Sequence, residues 1–113
     1  MTRQRSPRKI DPDHLAFVRQ LPCVVCGNDI ETEAAHIRAA CVKAAKRPTG
    51  KGERPDDAWT LPLCGRCHRD QHERGETSFW SYHQVDPFFI ALALYRVSGD
   101  MEAGAQIVTH SRS

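Results

Sequence analysis

Two pairs of cysteines at matched spacing are the residues of this chain with the clearest capacity for chemistry. Cys23 and Cys26 enclose two residues, and so do Cys64 and Cys67. Each CxxC turn presents two sulfur atoms on one side of a tight loop, so two turns supply the four thiolates of a closed tetrahedral zinc site. The ion would join distant segments, which predicts a structural role. An iron–sulfur cluster or a redox-active dithiol is the alternative for the same residues.

Histidines beside the second cysteine pair have a spacing that suits another cation. His68 and His72 are four residues apart, so they share one face of a helix and can bind one ion together. The alternative is that His68 replaces a cysteine in the zinc shell. A third histidine, His36, ends a candidate strand in the segment Ala34-Ala35-His36-Ile37.

The elements that position these residues follow from the apolar pattern and the turn signals. Short strands are predicted over 31–37 and 59–63, and a helix over 67–74 that stops at Gly75. If the two cysteine pairs meet at one ion, the strands can pair and lead into that helix. We therefore expect His36 to lie near the helix face that carries His68 and His72.

Helices are also expected on both sides of this core. Asp11-Pro12 and Asp86-Pro87 each combine an N-cap with proline at the first helical position. The first helix is expected to stop at Pro22 and the last at Gly99, with a short helix from residue 77 to 82 between them. The segment after Gly99 is predicted to be weakly ordered.

Length and charge bound the remaining possibilities. At 113 residues the chain is expected to form one domain, residues 1–113, and its net charge is only +2. The positive charge is concentrated in a basic arm, residues 1–10, predicted to be disordered, and in a long basic loop over 38–58. The cations predicted to contact phosphates are Arg38, Lys43, Lys46, Arg47, Lys51 and Arg54. The alternative for this loop is a solvated, mobile segment.

Cysteine usage and hydropathy indicate the compartment. The fifth cysteine, Cys41, has no motif partner, and we recognise no signal-peptide pattern in the sequence. An odd cysteine count without such a peptide argues against a secreted disulfide framework. No apolar run approaches the roughly 18 residues that a membrane span requires. We therefore expect a cytoplasmic protein with no membrane partner, and the sequence gives no oligomeric state.

The order of these motifs resembles the HNH, or ββα-metal, endonucleases. The resemblance is carried by the first CxxC pair, His36-Ile37, the run Leu63-Cys64-Gly65-Arg66-Cys67-His68 and the run His72-Glu73-Arg74-Gly75. It is strongest to small zinc-stapled HNH proteins that phages and prophages encode and that are associated with recombination. The segment 68–75 is also similar to the metal-binding helix of colicin-type nucleases. These motifs cover residues 21–75, and C-terminal helices would follow over 76–99.

The resemblance implies a fold and a role for each matched residue. The fold would be α+β, a small zinc-stabilised ββα-metal core with flanking α-helices. His36 would be the general base that takes a proton from the attacking water, since a neutral imidazole suits this work near pH 7. His68 and His72 would hold a catalytic divalent cation, Mg²⁺ in the first place, with Mn²⁺, Ni²⁺ or Zn²⁺ as alternatives. The four paired cysteines would hold structural zinc.

Two positions depart from the family's pattern. The metal-binding residue that usually precedes the base is replaced by Ala35, and the central asparagine, five residues before the third cysteine, is replaced by Trp59. Asp56 or Asp57 is placed to substitute for either group, and Asp57 is our tentative extra cation ligand.

The functional expectation is a metal-dependent endonuclease that hydrolyses DNA phosphodiester bonds with little sequence preference. DNA is the expected partner, and recombination proteins are a second one. The alternative is a non-catalytic zinc-finger protein that binds DNA or assists recombination. Ala35 and Trp59 favour this alternative, whereas the set of three histidines favours the enzyme.

Overall fold

The computed structural model describes residues 10–50 and 52–112, which form a small α+β fold. Most of the expected basic arm, and Lys51, lie outside the described residues. The elements within them are α1 (Pro12–Arg19), β1 (Thr32–His36), β2 (Thr60–Cys64), α2 (Gly65–Arg74), α3 (Glu76–His83), α4 (Pro87–Arg96) and α5 (Met101–Ser111). None of the helices among these residues is long and apolar enough to cross a membrane.

The two strands form an antiparallel sheet at the centre of the core. Thr32 pairs with Cys64 and His36 pairs with Thr60, so the zinc-site end of β2 lies beside the start of β1. All five residues of β2 are buried, because α1, α2 and α4 all pack against this strand. The strand positions and their pairing agree with the sequence-based expectation.

The helix starts also agree with the sequence. The Asp11 side chain accepts a hydrogen bond from the His14 backbone N–H at 3.1 Å, and Pro12 follows at the first helical position. Asp86 and Pro87 begin α4 in the same way. Between them, Gly75 has φ +90°, a conformation that favours glycine, and it separates α2 from α3.

The segment after Gly99 differs from the prediction, because residues 101–111 form the helix α5. Asp100 caps it by accepting from the Ala103 backbone N–H at 3.1 Å. Gly104 is buried against the first helix, where a Cβ atom would lie 2.7 Å from Cζ of Phe17. Val108 is fully buried. Helix α5 packs against α1 through Gly104. Because glycine has no side chain, this buried position adds nothing to an apolar pattern from which the helix could be predicted.

The basic loop between the strands is also more ordered than expected. Cys41 and Lys46 form a β-bridge that closes a small hairpin. The Arg38 guanidinium donates to the carbonyl oxygens of Gly50 and Glu53, both at 3.0 Å. These hydrogen bonds cross the segment and hold its described part against the end of β1.

Candidate active site

The four paired cysteines come together as the sequence predicts. Their sulfur atoms all lie within 4.8 Å of one another, and Sγ of Cys26 is 3.7 Å from Sγ of Cys64. Tetrahedral zinc with Zn–S bonds of about 2.3 Å separates its sulfur ligands by about 3.8 Å. The cluster therefore fits a structural metal such as zinc, and the fifth cysteine, Cys41, lies outside it.

The protonation of these thiols reflects their crowding. Burial, reinforced by the charge of Cys23, raises the pKa of Cys67, and burial also raises the pKa of Cys26. Although burial opposes ionisation of Cys64, hydrogen bonds from the Cys67 backbone N–H and from neighbouring thiols lower the pKa of Cys64. A divalent ion bound here would stabilise all four thiolates.

His36 forms a close pair with Asp57 at the end of β1. Nε2 of His36 lies 2.9 Å from Oδ1 of Asp57. The imidazole is 30% exposed whereas the carboxylate is 1% exposed, so one side of the ring is fixed inside the protein and the rest reaches solvent. Asp57 precedes β2, and its carbonyl accepts from the Thr60 hydroxyl at 3.0 Å, which holds the carboxylate beside the His36–Thr60 pair.

The hydrogen bond to an ionised Asp57 carboxylate would select one tautomer of neutral His36. Oδ2 of Asp57 accepts from the Asp11 backbone N–H at 2.8 Å, and a buried carboxylate requires such donors to remain ionised. Because an ionised carboxylate only accepts, the hydrogen shared with His36 belongs to Nε2. Nδ1 of the neutral ring then carries the lone pair.

His68 is oriented by a carboxylate as well. Its Nδ1 lies 2.6 Å from Oε1 of Glu33, and the imidazole rings of His68 and His72 have centroids 4.9 Å apart. Donation from Nδ1 to Glu33 leaves Nε2 of His68 as the free ligand atom. A carboxylate on the second ring nitrogen is the usual partner of a metal-binding histidine. Glu33, which the sequence-based reasoning missed, therefore gives this pair the character of a cation site.

Helix α2 runs along β1 toward His36. Its first turn contacts Glu33 near the start of the strand. Just beyond its end, the Glu76 carboxylate accepts from the backbone N–H groups of Arg38 and Ala39, at 2.9 and 2.8 Å. His72 lies one turn beyond His68 in this direction, an advance of about 6 Å.

The three histidines do not form one ligand cluster. In the part of the chain that the structure describes, the four cysteines are the one group of at least three potential ligands whose donor atoms all lie within 4.8 Å. His36 contacts Asp57, and His68 contacts Glu33. Asp57 thus lies with the predicted base, so the structure does not bring our tentative extra ligand to the helix pair.

The two residues that depart from the HNH pattern, Ala35 and Trp59, occupy packing positions. Ala35 is buried at 1% exposure. The Trp59 ring lies edge-on to Phe88, with centroids 6.5 Å apart, and the Trp59 carbonyl accepts from the Ile37 N–H at 2.9 Å. Trp59 therefore anchors the strand pair just beyond His36, while Asp57 supplies the polar contact to the imidazole.

The predicted phosphate-binding cations divide into two groups. Lys46 is only 6% exposed, donates to the Arg47 carbonyl and lies 5.8 Å from the Trp59 ring centroid. Burial also lowers the pKa of Lys46, and a phosphate could reach this ammonium only if the loop moved, so its assignment as a DNA contact stays a prediction. The Arg38 guanidinium donates hydrogen bonds to backbone carbonyl groups of the loop. Arg38 is exposed as well, but among the described residues the exposed cations of this set without such hydrogen bonds to the loop backbone are Lys43, Arg47 and Arg54.

Comparison with known proteins places the chain in a family. No curated protein and no solved structure matches it. A family profile, described as a protein of unknown function (DUF968), matches residues 1–90. The matched segment is most of the chain and contains every cysteine together with His36, Asp57, His68 and His72. The protein therefore belongs to the DUF968 family.

Proposed function

We propose that this protein is a metal-dependent endonuclease that hydrolyses DNA phosphodiester bonds with little sequence preference, on a zinc-stapled HNH-type core. The observation that carries the proposal is the pairing of half-exposed His36 with buried Asp57, 2.9 Å apart. A carboxylate that orients a histidine, leaving the other ring nitrogen toward solvent, is the usual arrangement of a general base.

In the proposed reaction, Nδ1 of His36 takes a proton from a water molecule. The water oxygen forms a bond to phosphorus, the bond between phosphorus and the 3′ oxygen breaks, and that oxygen leaves and is protonated from solvent. Asp57 stabilises the imidazolium that forms and keeps the ring from turning. Both residues are in place before the substrate arrives, so little reorganisation is needed.

A divalent cation would be held by His68 and His72, with Glu33 orienting His68. When bound, it would polarise the scissile phosphate and offset charge on the leaving oxygen. His72 lies one turn nearer than His68 to the end of β1 that carries His36, so the scissile phosphate would have to extend from the cation to Nδ1 of His36. The exposed cations Lys43, Arg47 and Arg54 would contact the phosphate backbone without reading sequence.

The second candidate is a zinc-stapled DNA-binding protein without catalysis, acting alone or beside recombination proteins. Two specific observations favour it: Ala35 is buried and provides no ligand, and Trp59 packs where the family has asparagine. This candidate keeps the zinc cluster and the exposed cations but has no use for an oriented, half-exposed His36.

The two candidates predict different products from labelled oligonucleotides. The zinc-loaded protein is incubated with single-stranded, duplex and branched DNA in Mg²⁺ or Mn²⁺, and the product ends are mapped. The nuclease should leave 5′-phosphate and 3′-hydroxyl ends, and His36→Ala should abolish cleavage while DNA binding persists. DNA binding without cleavage in any of the cations would establish the second candidate.

A further inference from the structure

A hydrogen-bonded network continues from Asp57 into helices α1 and α4. Oδ2 of Asp57 is held by the Asp11 backbone N–H at 2.8 Å. The Asp11 side chain in turn accepts from the His14 N–H at 3.1 Å and from the Tyr95 hydroxyl at 3.2 Å. The donor that fixes the second oxygen of Asp57 is therefore itself fixed on two sides.

The walls of this network are rigid. His14 is fully buried, its Nδ1 lies 2.8 Å from the Ser98 hydroxyl, and its ring stands edge-on to Tyr95 at 4.8 Å between centroids. The tyrosine ring consequently has little freedom to turn. Its hydroxyl can set the position of the Asp11 side chain, and hence of the first turn of α1.

We propose that Asp11 and Tyr95 are positioning residues for the His36 base. They act through Asp57: if the Asp11 N–H moves, Oδ2 of Asp57 loses this donor, the carboxylate shifts, and the hydrogen bond between Oδ1 and Nε2 of His36 weakens. Loss of that bond allows the neutral ring to populate the other tautomer, in which Nδ1 carries hydrogen and accepts no proton. This inference rests on the proposed function for its catalytic meaning, but its structural content is independent of that function.

The inference also gives a role to residues beyond the family match. Tyr95 follows the matched segment, which ends at residue 90, and it lies in the last turn of α4, a helix that packs against α5. The C-terminal helices would then support the site as well as the core. This role requires no charged residue on these helices, because the neutral Tyr95 hydroxyl alone joins α4 to the Asp11 side chain.

The test measures the tautomer of His36 directly. Nitrogen-15 NMR of the zinc-loaded protein without DNA, at a pH where His36 is neutral, distinguishes Nε2–H from Nδ1–H. We expect the Nε2–H tautomer to dominate in the wild-type protein, to lose population in Tyr95→Phe and to lose more in Asp11→Ala. Tyr82→Phe, at an exposed tyrosine, and Asp100→Ala, which removes the cap of α5, are matched controls and should leave it unchanged.

Kinetics supply the second readout. Asp11→Ala should lower kcat by roughly tenfold with little change in KM, a part of the roughly 10²–10⁴ that a positioned base contributes. An unchanged tautomer in both Asp11→Ala and Tyr95→Phe would overturn the positioning role. If the two variants shift the tautomer as expected but the wild-type protein cleaves no DNA, the proposed nuclease is overturned and the positioning network stands. Equal effects of Asp11→Ala and Asp100→Ala would reduce the result to general loss of stability and would also overturn the inference.

Discussion

The carboxylate of Glu33 lies 2.6 Å from Nδ1 of His68, in the first turn of α2, the helix that also contains Cys67. Asp57 has the same relationship to His36 at the opposite end of the strand. Each of these two histidines is thus fixed through one ring nitrogen while the other stays available. In the proposed nuclease this pairing would separate two chemical tasks, cation binding at α2 and proton transfer at the end of β1.

Cation binding should depend on Glu33 as well as on the two histidines. We expect His68→Ala and His72→Ala to remove binding of Mn²⁺ or Ni²⁺ to the zinc-loaded protein. Glu33→Gln should weaken binding by about 10- to 100-fold, because the amide no longer fixes the tautomer of His68. Isothermal titration calorimetry measures these affinities.

Two control variants make the calorimetry decisive. Glu102→Gln changes an exposed carboxylate on α5 and should have no effect. Asp57→Asn should also leave the affinity unchanged, because Asp57 hydrogen-bonds His36 and joins no ligand group with the helix pair among the described residues. If Asp57→Asn were the variant that abolished binding, the separation of the two tasks would be incorrect.

Zinc content should follow the four clustered cysteines and not the fifth. Cys23→Ser or Cys64→Ser should lower the bound zinc from one equivalent toward zero and reduce thermal stability, because the ion joins distant segments. Cys41→Ser should keep one equivalent. Elemental analysis with thermal unfolding checks this prediction, and equal zinc loss in all three variants would contradict the assignment.

The stability of the fold should depend on pH through His14. Burial lowers the pKa of His14, although Asp11 and Asp57 act in the opposite direction. The unfolded chain, with a histidine pKa of about 6.5, then binds more protons than the folded one. The free energy of unfolding therefore falls as the pH drops below about 6.5 and until it passes the lowered folded pKa, by at most about 1.4 kcal/mol per pH unit.

Replacing His14 isolates this contribution. Thiolate protonation also destabilises the zinc site in acid, but it does so equally in every variant. His14→Phe should flatten the pH dependence relative to the wild type, whereas His110→Gln, at an exposed position, should retain the slope. Urea unfolding between pH 5 and about 8 measures the difference, and parallel curves for wild type and His14→Phe would refute the role of His14.

The docking of α5 can be tested at Gly104. Alanine there would gain about 1 kcal/mol of helix propensity, but its Cβ atom would lie 2.7 Å from Cζ of Phe17 and 3.1 Å from Cδ2 of Leu21. Overpacking of buried rings costs about 1–3 kcal/mol, so Gly104→Ala should lower the Tm by a few degrees. Gln106→Ala, on the exposed face of α5, should not. A higher Tm for Gly104→Ala would mean that α5 does not pack as described.

Sequence reasoning succeeded where the local pattern carries the constraint. The CxxC spacing indicates which sulfur atoms can meet. The 3.7 Å between Sγ of Cys26 and Sγ of Cys64 agrees with that expectation. The starts of α1 and α4 follow from the two Asp-Pro pairs, because capping depends only on neighbouring residues. The pairing of the strands followed from the cysteines, since the ion brings their ends together.

It failed where a contact depends on how a long segment folds back. The loop over 38–58 returns Asp57 to His36 and buries Lys46, and no periodicity in the sequence encodes that path. Glu33 left a usable signal: strand alternation puts it on the same face as Ala35, so a carboxylate two residues before the missing ligand deserved consideration. The α5 helix was missed because Gly104, a poor helix former, is the residue that docks it.

Cleavage of supercoiled plasmid tests the central claim most directly. The zinc-loaded wild-type protein with Mg²⁺ or Mn²⁺ should convert it to nicked circles. His36→Ala should lose this activity while it retains one zinc and its affinity for the cation. His110→Ala, at an exposed histidine far from the pair, should cleave as the wild type does. Equal nicking by the wild type and His36→Ala, or no nicking by either with intact DNA binding, would contradict the proposed nuclease.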